Sequence, residues 1–152
     1  MNKQLSGFQM GNKLRAFLDD INQRNIATEY GTALHNRMQN LQLDKTDDEL
    51  VQHVLANPAL SKLFDSKSKS EVPVAGYIKG QFVSRRIDRL RIATDAKTID
   101  ILDYKTDINR DEHRSSYIAQ LDEYKKLMSE IYPKFKVTCF ILWTHDWTLE
   151  QI

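Results

Sequence analysis

The chain has 152 residues, a formal net charge of +1, 28% charged and 41% hydrophobic residues. That length suits one domain with its own core, and the near-neutral balance argues against a uniformly basic polyanion binder while leaving room for a local basic cleft. The single cysteine, Cys139, excludes an intrachain disulfide, a four-cysteine zinc site and a four-cysteine iron–sulfur cluster. No apolar run is long enough to span a bilayer and no secretory segment follows Met1, so a cytoplasmic protein without membrane partners is expected.

Helical spacing runs through Leu14, Phe17, Leu18 and Ile21, with an ill-defined start at Gly7 and Gly11. A second helix is expected from Glu29 to Gln42, with Tyr30, Leu34, Met38 and Leu41 on one face. "TDDE" reads as a capping box, Thr46 as N-cap and Glu49 at the third helical position, opening a short helix to Leu55. Asn57-Pro58 starts another turn or two, to Phe64. "DSKSKSE" is expected to be a polar, mobile connector.

From Glu71 the pattern changes to strands. "EVPVAGYI", "QFVSRRIDRLRIAT" and "TIDILDYKT" are separated by the tight-turn sequences Lys79-Gly80 and Asp95-Ala96-Lys97, which predicts an antiparallel meander. An amphipathic helix from Asp111 to Tyr132 carries Tyr117, Ile118, Leu121, Tyr124, Leu127, Met128 and Ile131 as its apolar stripe, and Pro133 ends it. "KVTCFILWT" is a nearly continuous apolar strand, and "HD" turns the chain into "WTLEQI". The helix between the third and fourth strands is a β-α-β crossover, so those two strands should be parallel. The expected fold class is α/β: a mixed sheet with an antiparallel meander and flanking helices. One domain is expected over 1–152, with a helical part at 1–66 and the sheet core at 71–152. Trp143 and Trp147, beside the last turn, read as packing residues.

Charged residues interrupt two of the strands. Asp103 and Lys105 share the face of Ile99 and Ile101, because side chains alternate along a strand. Asp88, in "RRIDRL", lies 15 residues before Asp103, which leaves room for two half-strands and a turn and sets the two carboxylates across from each other. Adjacent buried carboxylates repel, and a hard divalent cation such as Mg²⁺ removes that cost while keeping positions for water and a phosphate. Lys105 beside that water suits stabilisation of the charge that develops in phosphodiester hydrolysis. A D-x-K triplet alone is unspecific, because a solvated Asp–Lys pair contributes little.

Further features accompany the triplet. His35 ends "GTALH", Glu71 opens the first strand, and Gln120 and Tyr124 share a helix face. Arg85, Arg86, Arg89 and Arg91 surround Asp88. The ordered segments "GTALH", "EVP", "RRIDR", "DYKT" and "QLDEY" resemble the motif series of the RecB-type branch of the PD-(D/E)XK nucleases. Within that branch they are most similar to the C-terminal nuclease domains of AddA-type helicase–nucleases of double-strand-break repair. The resemblance spans Gly31 to Thr144. It implies a restriction-endonuclease-like core and a metal-dependent deoxyribonuclease, of exonuclease type on single strands or ends, working in recombination and repair. It also implies Mg²⁺ or Mn²⁺ held by His35, Asp88, Asp103 and the backbone carbonyl of Tyr104, with Lys105 as the catalytic lysine. Gln120 and Tyr124 would organise the site or the nucleic-acid strand, although Tyr124 also belongs to the apolar stripe. Glu71 matches a glutamate of the pattern whose role, in the site or in the structure, stays open. Arg85, Arg86 and Arg89 are candidate contacts to nucleic acid, with a solvated strand face as the alternative.

One departure stands out: Arg85 occupies the position where the family has glycine, three residues before Asp88. It either adds a phosphate contact or crowds the cleft. Expected partners are DNA and a helicase or AddB-like subunit. No nucleotide and no iron–sulfur cluster are expected, since the chain has no phosphate-binding loop and one cysteine. The alternative readings are a weak or inactive DNA-binding or assembly module that keeps the fold and, with the same chemistry, an RNA-directed or restriction-like endonuclease.

Overall fold

The computed structural model describes residues 7–152; the segment after Met1, read above as lacking a secretory signal, lies partly outside them. Two compact units divide the chain, residues 1–34 and 35–152. This boundary differs from the expected one between 66 and 71: it falls inside a helix, and His35 lies in the second unit with the sheet.

Helix α1 (Gly7–Gln39) is continuous where two helices were expected. No proline interrupts it, and the Asp20–Arg24 pair (2.8 Å, one turn apart) supports its middle. Near the expected start of the second helix, Thr28 donates its hydroxyl to the carbonyl of Arg24. The stripe of Leu14, Phe17 and Leu18 is exposed, as is Tyr30, whereas Leu34 and Met38 are buried.

In the second unit α2 (Glu49–Leu55) starts two residues later than the capping box suggests. Asp48, not Thr46, is the N-cap and accepts the Leu50 N–H, because its carboxylate reaches that amide in an extended backbone. Helix α3 (Pro58–Lys62) is capped by Asn57 with proline in its first turn, as expected. The polar stretch after it is not a loose connector. Asp65 accepts the Lys67 N–H and pairs with Arg91 at 2.8 Å, and strand β1 (Ser68–Ile78) begins within the stretch.

Strands β2 (Gln81–Ala93) and β3 (Thr98–Lys105) complete the antiparallel meander. Lys79 and Gly80 both have positive φ (50° and 77°), which matches the two-residue turn whose twist suits a hairpin. Helix α4 (Arg110–Ile131) crosses to β4 (Lys136–Trp143), which runs parallel to β3, and β5 (Thr148–Gln151) closes the edge. The five strands lie in sequence order, so the sheet is mixed through the one parallel pair.

Leu121, Tyr124, Leu127 and Met128 of α4 pack on Val74, Ile87, Leu90, Ile99, Ile101, Cys139 and Ile141. Gly76 permits that contact, since a Cβ there would stand 2.9 Å from the Leu127 side chain. Cys139 is buried, and burial pushes its thiol up to about 11, as befits a small apolar residue. Trp143 is fully buried, and Trp147 stacks on His53 with ring centroids 4.6 Å apart, so both tryptophans are packing residues. Among the described residues no helix is long and apolar enough to cross a membrane.

Candidate active site

The site forms where two strands part. β2 pairs with β3 only from Arg89↔Leu102 to Ala93↔Thr98, while β3 continues to Lys105 against β4. The next pair in that register would be Asp88 with Asp103, so the expected juxtaposition holds, one step past the end of the ladder. There the Asp88 side chain turns into the gap and its Oδ2 accepts the Tyr104 N–H at 2.9 Å. Ile87 and Leu90 both enter the core. Three residues apart, they break the alternation of β2, and the break falls on Asp88 and Arg89.

Opposite Asp88 on β1, Glu71 has φ 53° and interrupts the pairing between Ser70↔Arg89 and Val72↔Ile87. A left-handed glutamate inside a strand is strained, and such strain collects at functional sites. Its carboxylate lies 3.8 Å from Arg86, directed along the rim of the site.

Asp103 follows Ile99 and Ile101 on the face covered by α4, and only 3% of its side chain is exposed. Asp88 and Asp103 are within hydrogen-bonding reach of each other. Burial, and after it the Asp103 charge, pushes the Asp88 carboxyl up to about 8. Lys105 Nζ stands 2.8 Å from Asp103 Oδ2, an ion-pair distance, yet that oxygen has no hydrogen-bond partner. The contact is close but poorly aligned, which leaves a buried carboxylate oxygen with acceptor capacity to spare.

Three groups position Lys105. Besides Asp103, it donates to Gln120 Oε1 at 3.2 Å, and its ammonium sits 4.1 Å over the Tyr117 ring. Gln120 Nε2 donates to the Tyr124 hydroxyl (2.7 Å), which donates to the carbonyl of Arg86 (3.1 Å). This chain of three donors ties the lysine through α4 to the backbone of β2. Burial, with Asp103 second, pushes the Tyr124 hydroxyl up to about 12, so it remains a donor. Tyr124 is thus core by its ring and part of the site by its oxygen.

His35 reaches the same place from the end of α1. Its Nε2 is 3.1 Å from the Tyr104 carbonyl, and since a carbonyl only accepts, Nε2 carries the proton. Nδ1, 3.9 Å from Asp88 Oδ1, is the nitrogen left to bind. Among the described residues no three His, Cys, Asp or Glu side chains form a ready metal cage. Two neighbouring carboxylates, an imidazole beside one of them and a backbone carbonyl make up the set. These donors fit a hard divalent cation in kind: the spare Asp103 oxygen and the protonated Asp88 are what a cation would satisfy and deprotonate.

The arginines separate. Arg89 is 6% exposed and donates to Tyr104 Oη, Ser68 Oγ, Ser70 Oγ and the carbonyl of Met38, with its guanidinium 4.0 Å over the Phe64 ring. This corrects the expectation that it contacts nucleic acid: buried and engaged on four sides, it cannot reach a phosphate. Arg91 is buried between Asp65 and Asp100. Arg85 pairs with Glu123 of α4 at 2.9 Å, so its side chain lies against the helix rather than in the cleft. Arg86 is largely exposed at the rim. Tyr117 was read only as part of the apolar stripe. Its place three residues before Gln120 puts it on the same face and could have marked it. No family model matches the sequence, and no curated protein matches it.

Proposed function

We propose that this chain is a divalent-metal-dependent nuclease of the PD-(D/E)XK type, hydrolysing phosphodiester bonds in DNA during recombination or repair. The observation that carries the reading is the pair Asp88 and Asp103 at the parted strand end with Lys105 held against them. Two repelling carboxylates and an under-satisfied buried oxygen disfavour the fold unless they serve something, and a cation with a phosphate is what they suit. Mg²⁺ or Mn²⁺ held by Asp88, Asp103, His35 and the Tyr104 carbonyl would neutralise the carboxylates and polarise water and a phosphate oxygen.

The chain's own residues do the rest. Asp88, whose carboxyl burial and Asp103 push up, would have to lose its proton to serve as a ligand, and His35, with Nε2 donating to the Tyr104 carbonyl, would offer Nδ1. Lys105, fixed by Gln120 and the Tyr117 ring, places a positive charge where the phosphate gains negative charge in the transition state. Tyr124 holds Gln120 in the orientation that presents its oxygen to the lysine. Burial around Asp103 excludes bulk water and strengthens these interactions.

The non-catalytic alternative draws its weight from Arg85, and that side chain is engaged by Glu123 rather than lodged in the cleft. Incubation of the chain with labelled single-stranded DNA and Mg²⁺ or Mn²⁺ tests the reading, with Asp103→Ala as control. Cleavage that needs the cation and Asp103 supports it; equal cleavage in excess chelator, or none under any cation, ends it.

A further inference from the structure

Resting on that nuclease reading, we propose that the outer face of the β1–β2 hairpin is a track for single-stranded nucleic acid leading into the site. Bases stack on Tyr77 and Phe82, and Arg86 takes a phosphate. Because β2 leaves β3 before Arg89, the hairpin from Glu71 to Asp88 has β3 on neither side. Its inner face is spoken for: Val74 and Ile87 are in the core, Gly76 lies against Leu127, and Arg85 pairs with Glu123.

The outer face carries Pro73, Ala75 and Tyr77 opposite Arg86, Ser84 and Phe82, all exposed. Tyr77 and Phe82 are 64% and 65% exposed, and their rings meet edge to face at 5.7 Å. Two large rings left bare on a hairpin tip offer π-faces to stack on, and the small residues beside them leave a flat path between tip and site. The hairpin's own charges along this path are net positive: Arg86, whose ion-pair contact with Glu71 is 3.8 Å long, and Lys79 in the turn, against Glu71. At the tip Tyr77 and Lys79 also border a groove lined by Asp122, Lys125, Lys126 and Glu130 of α4.

Phe82 stands six positions before Asp88 along the strand, about 20 Å at the rise of a β-strand, room for a few extended nucleotides. The track favours a single strand because stacking needs an unpaired base face, which a duplex conceals.

Binding of labelled oligo(dT), oligo(rU) and a blunt duplex to the full chain, in chelator, tests this by fluorescence anisotropy across a salt series. The Tyr77→Ala, Phe82→Ala double variant should bind single strands roughly tenfold or more weakly. Phe82→Trp should keep affinity, and Arg86→Gln should lower the salt slope by about one. A difference between the dT and rU arms assigns DNA or RNA as the natural strand. Unchanged single-strand affinity in the double variant overturns the track, as does an equal loss on duplex, or no binding by the wild type. A wild-type dimer that the double variant turns into monomer also overturns it, making the rings a contact between copies. Cation-dependent cleavage is scored separately. Cleavage with ring-independent binding overturns the track alone, and ring-dependent binding without cleavage overturns the nuclease reading alone.

Discussion

The carboxylate of Asp88 accepts the backbone N–H of Tyr104 at 2.9 Å, standing in for the strand neighbour that β3 lacks beyond Leu102. An unpaired buried amide would cost roughly 1–3 kcal/mol, so the side chain repairs the ladder that its own strand abandons. The same contact brings Asp88 against Asp103 and leaves the Tyr104 carbonyl to His35. One parted strand pair therefore gathers every donor of the candidate metal set.

Asp88 should make the metal-free protein less stable as pH rises. Its folded-state carboxyl titrates near 8, against 3.8 when unfolded, so between those values the folded state binds the extra proton. Stability then falls with increasing pH across that window, by up to about 1.4 kcal/mol per unit. Asp88→Asn keeps an oxygen for the Tyr104 N–H and removes the titration. Urea melts in chelator at pH 5 and pH 8 should show the variant gaining on the wild type by on the order of a few kcal/mol at the higher pH. A parallel pH dependence in the two proteins would contradict a raised Asp88 carboxyl.

Mg²⁺ or Mn²⁺ should raise the melting temperature, and more at pH 8 than at pH 6. Binding has to displace the Asp88 proton, and a larger fraction of the sites carries that proton at the lower pH. At a cation concentration 100 times the dissociation constant the gain is about 2.7 kcal/mol. Mn²⁺ should act at least as well as Mg²⁺, because an imidazole ligand suits it better. Asp103→Ala should lose the cation-dependent shift in thermal scans.

The strands, their turns and the parallel β3–β4 pair were legible because period-two patterning and punctuation agree over Glu71 to Gln151. The carboxylate pair was legible from chain distance alone. Glu71's left-handed backbone was not, since nothing in "SEVP" demands positive φ without its partner strand. Arg89 shows the limit most clearly. Beside Arg85 and Arg86 it looks like one of a basic cluster, yet the phase break at Asp88 turns it inward, and only the tertiary acceptors reveal its role. The α2 cap shifted because the Asp48 carboxylate reaches the Leu50 N–H from an extended backbone, a choice that composition does not settle.

Arg89→Ala should destabilise the fold without a direct effect on nucleic-acid charge contacts. It removes the donor to the Tyr104 hydroxyl and one of the partners of Ser68, Ser70 and the Met38 carbonyl, and uncovers Phe64, for a loss of roughly 2–4 kcal/mol in chemical denaturation. Arg86→Ala, at an exposed site, should leave stability within about 0.5 kcal/mol of wild type. If the two variants melt alike, the buried assignment of Arg89 is wrong.

Lys105→Ala should separate chemistry from binding. The ammonium lies between Asp103, Gln120 and the Tyr117 ring, so it is held still rather than sweeping the cleft. A fixed cation beside a metal site opposes metal binding by charge repulsion and favours the more anionic transition state. Its removal should therefore cut single-turnover cleavage by orders of magnitude. Metal affinity, read by calorimetric titration, should stay the same or improve slightly. Affinity for DNA should fall only modestly, because one phosphate contact among several is lost. Gln120→Ala frees the lysine without deleting it and should produce a smaller loss in rate, with metal affinity unchanged. Cleavage by Lys105→Ala at near wild-type rate would make this lysine a partner of Asp103 and nothing more, and would remove the catalytic reading of the β3 strand end.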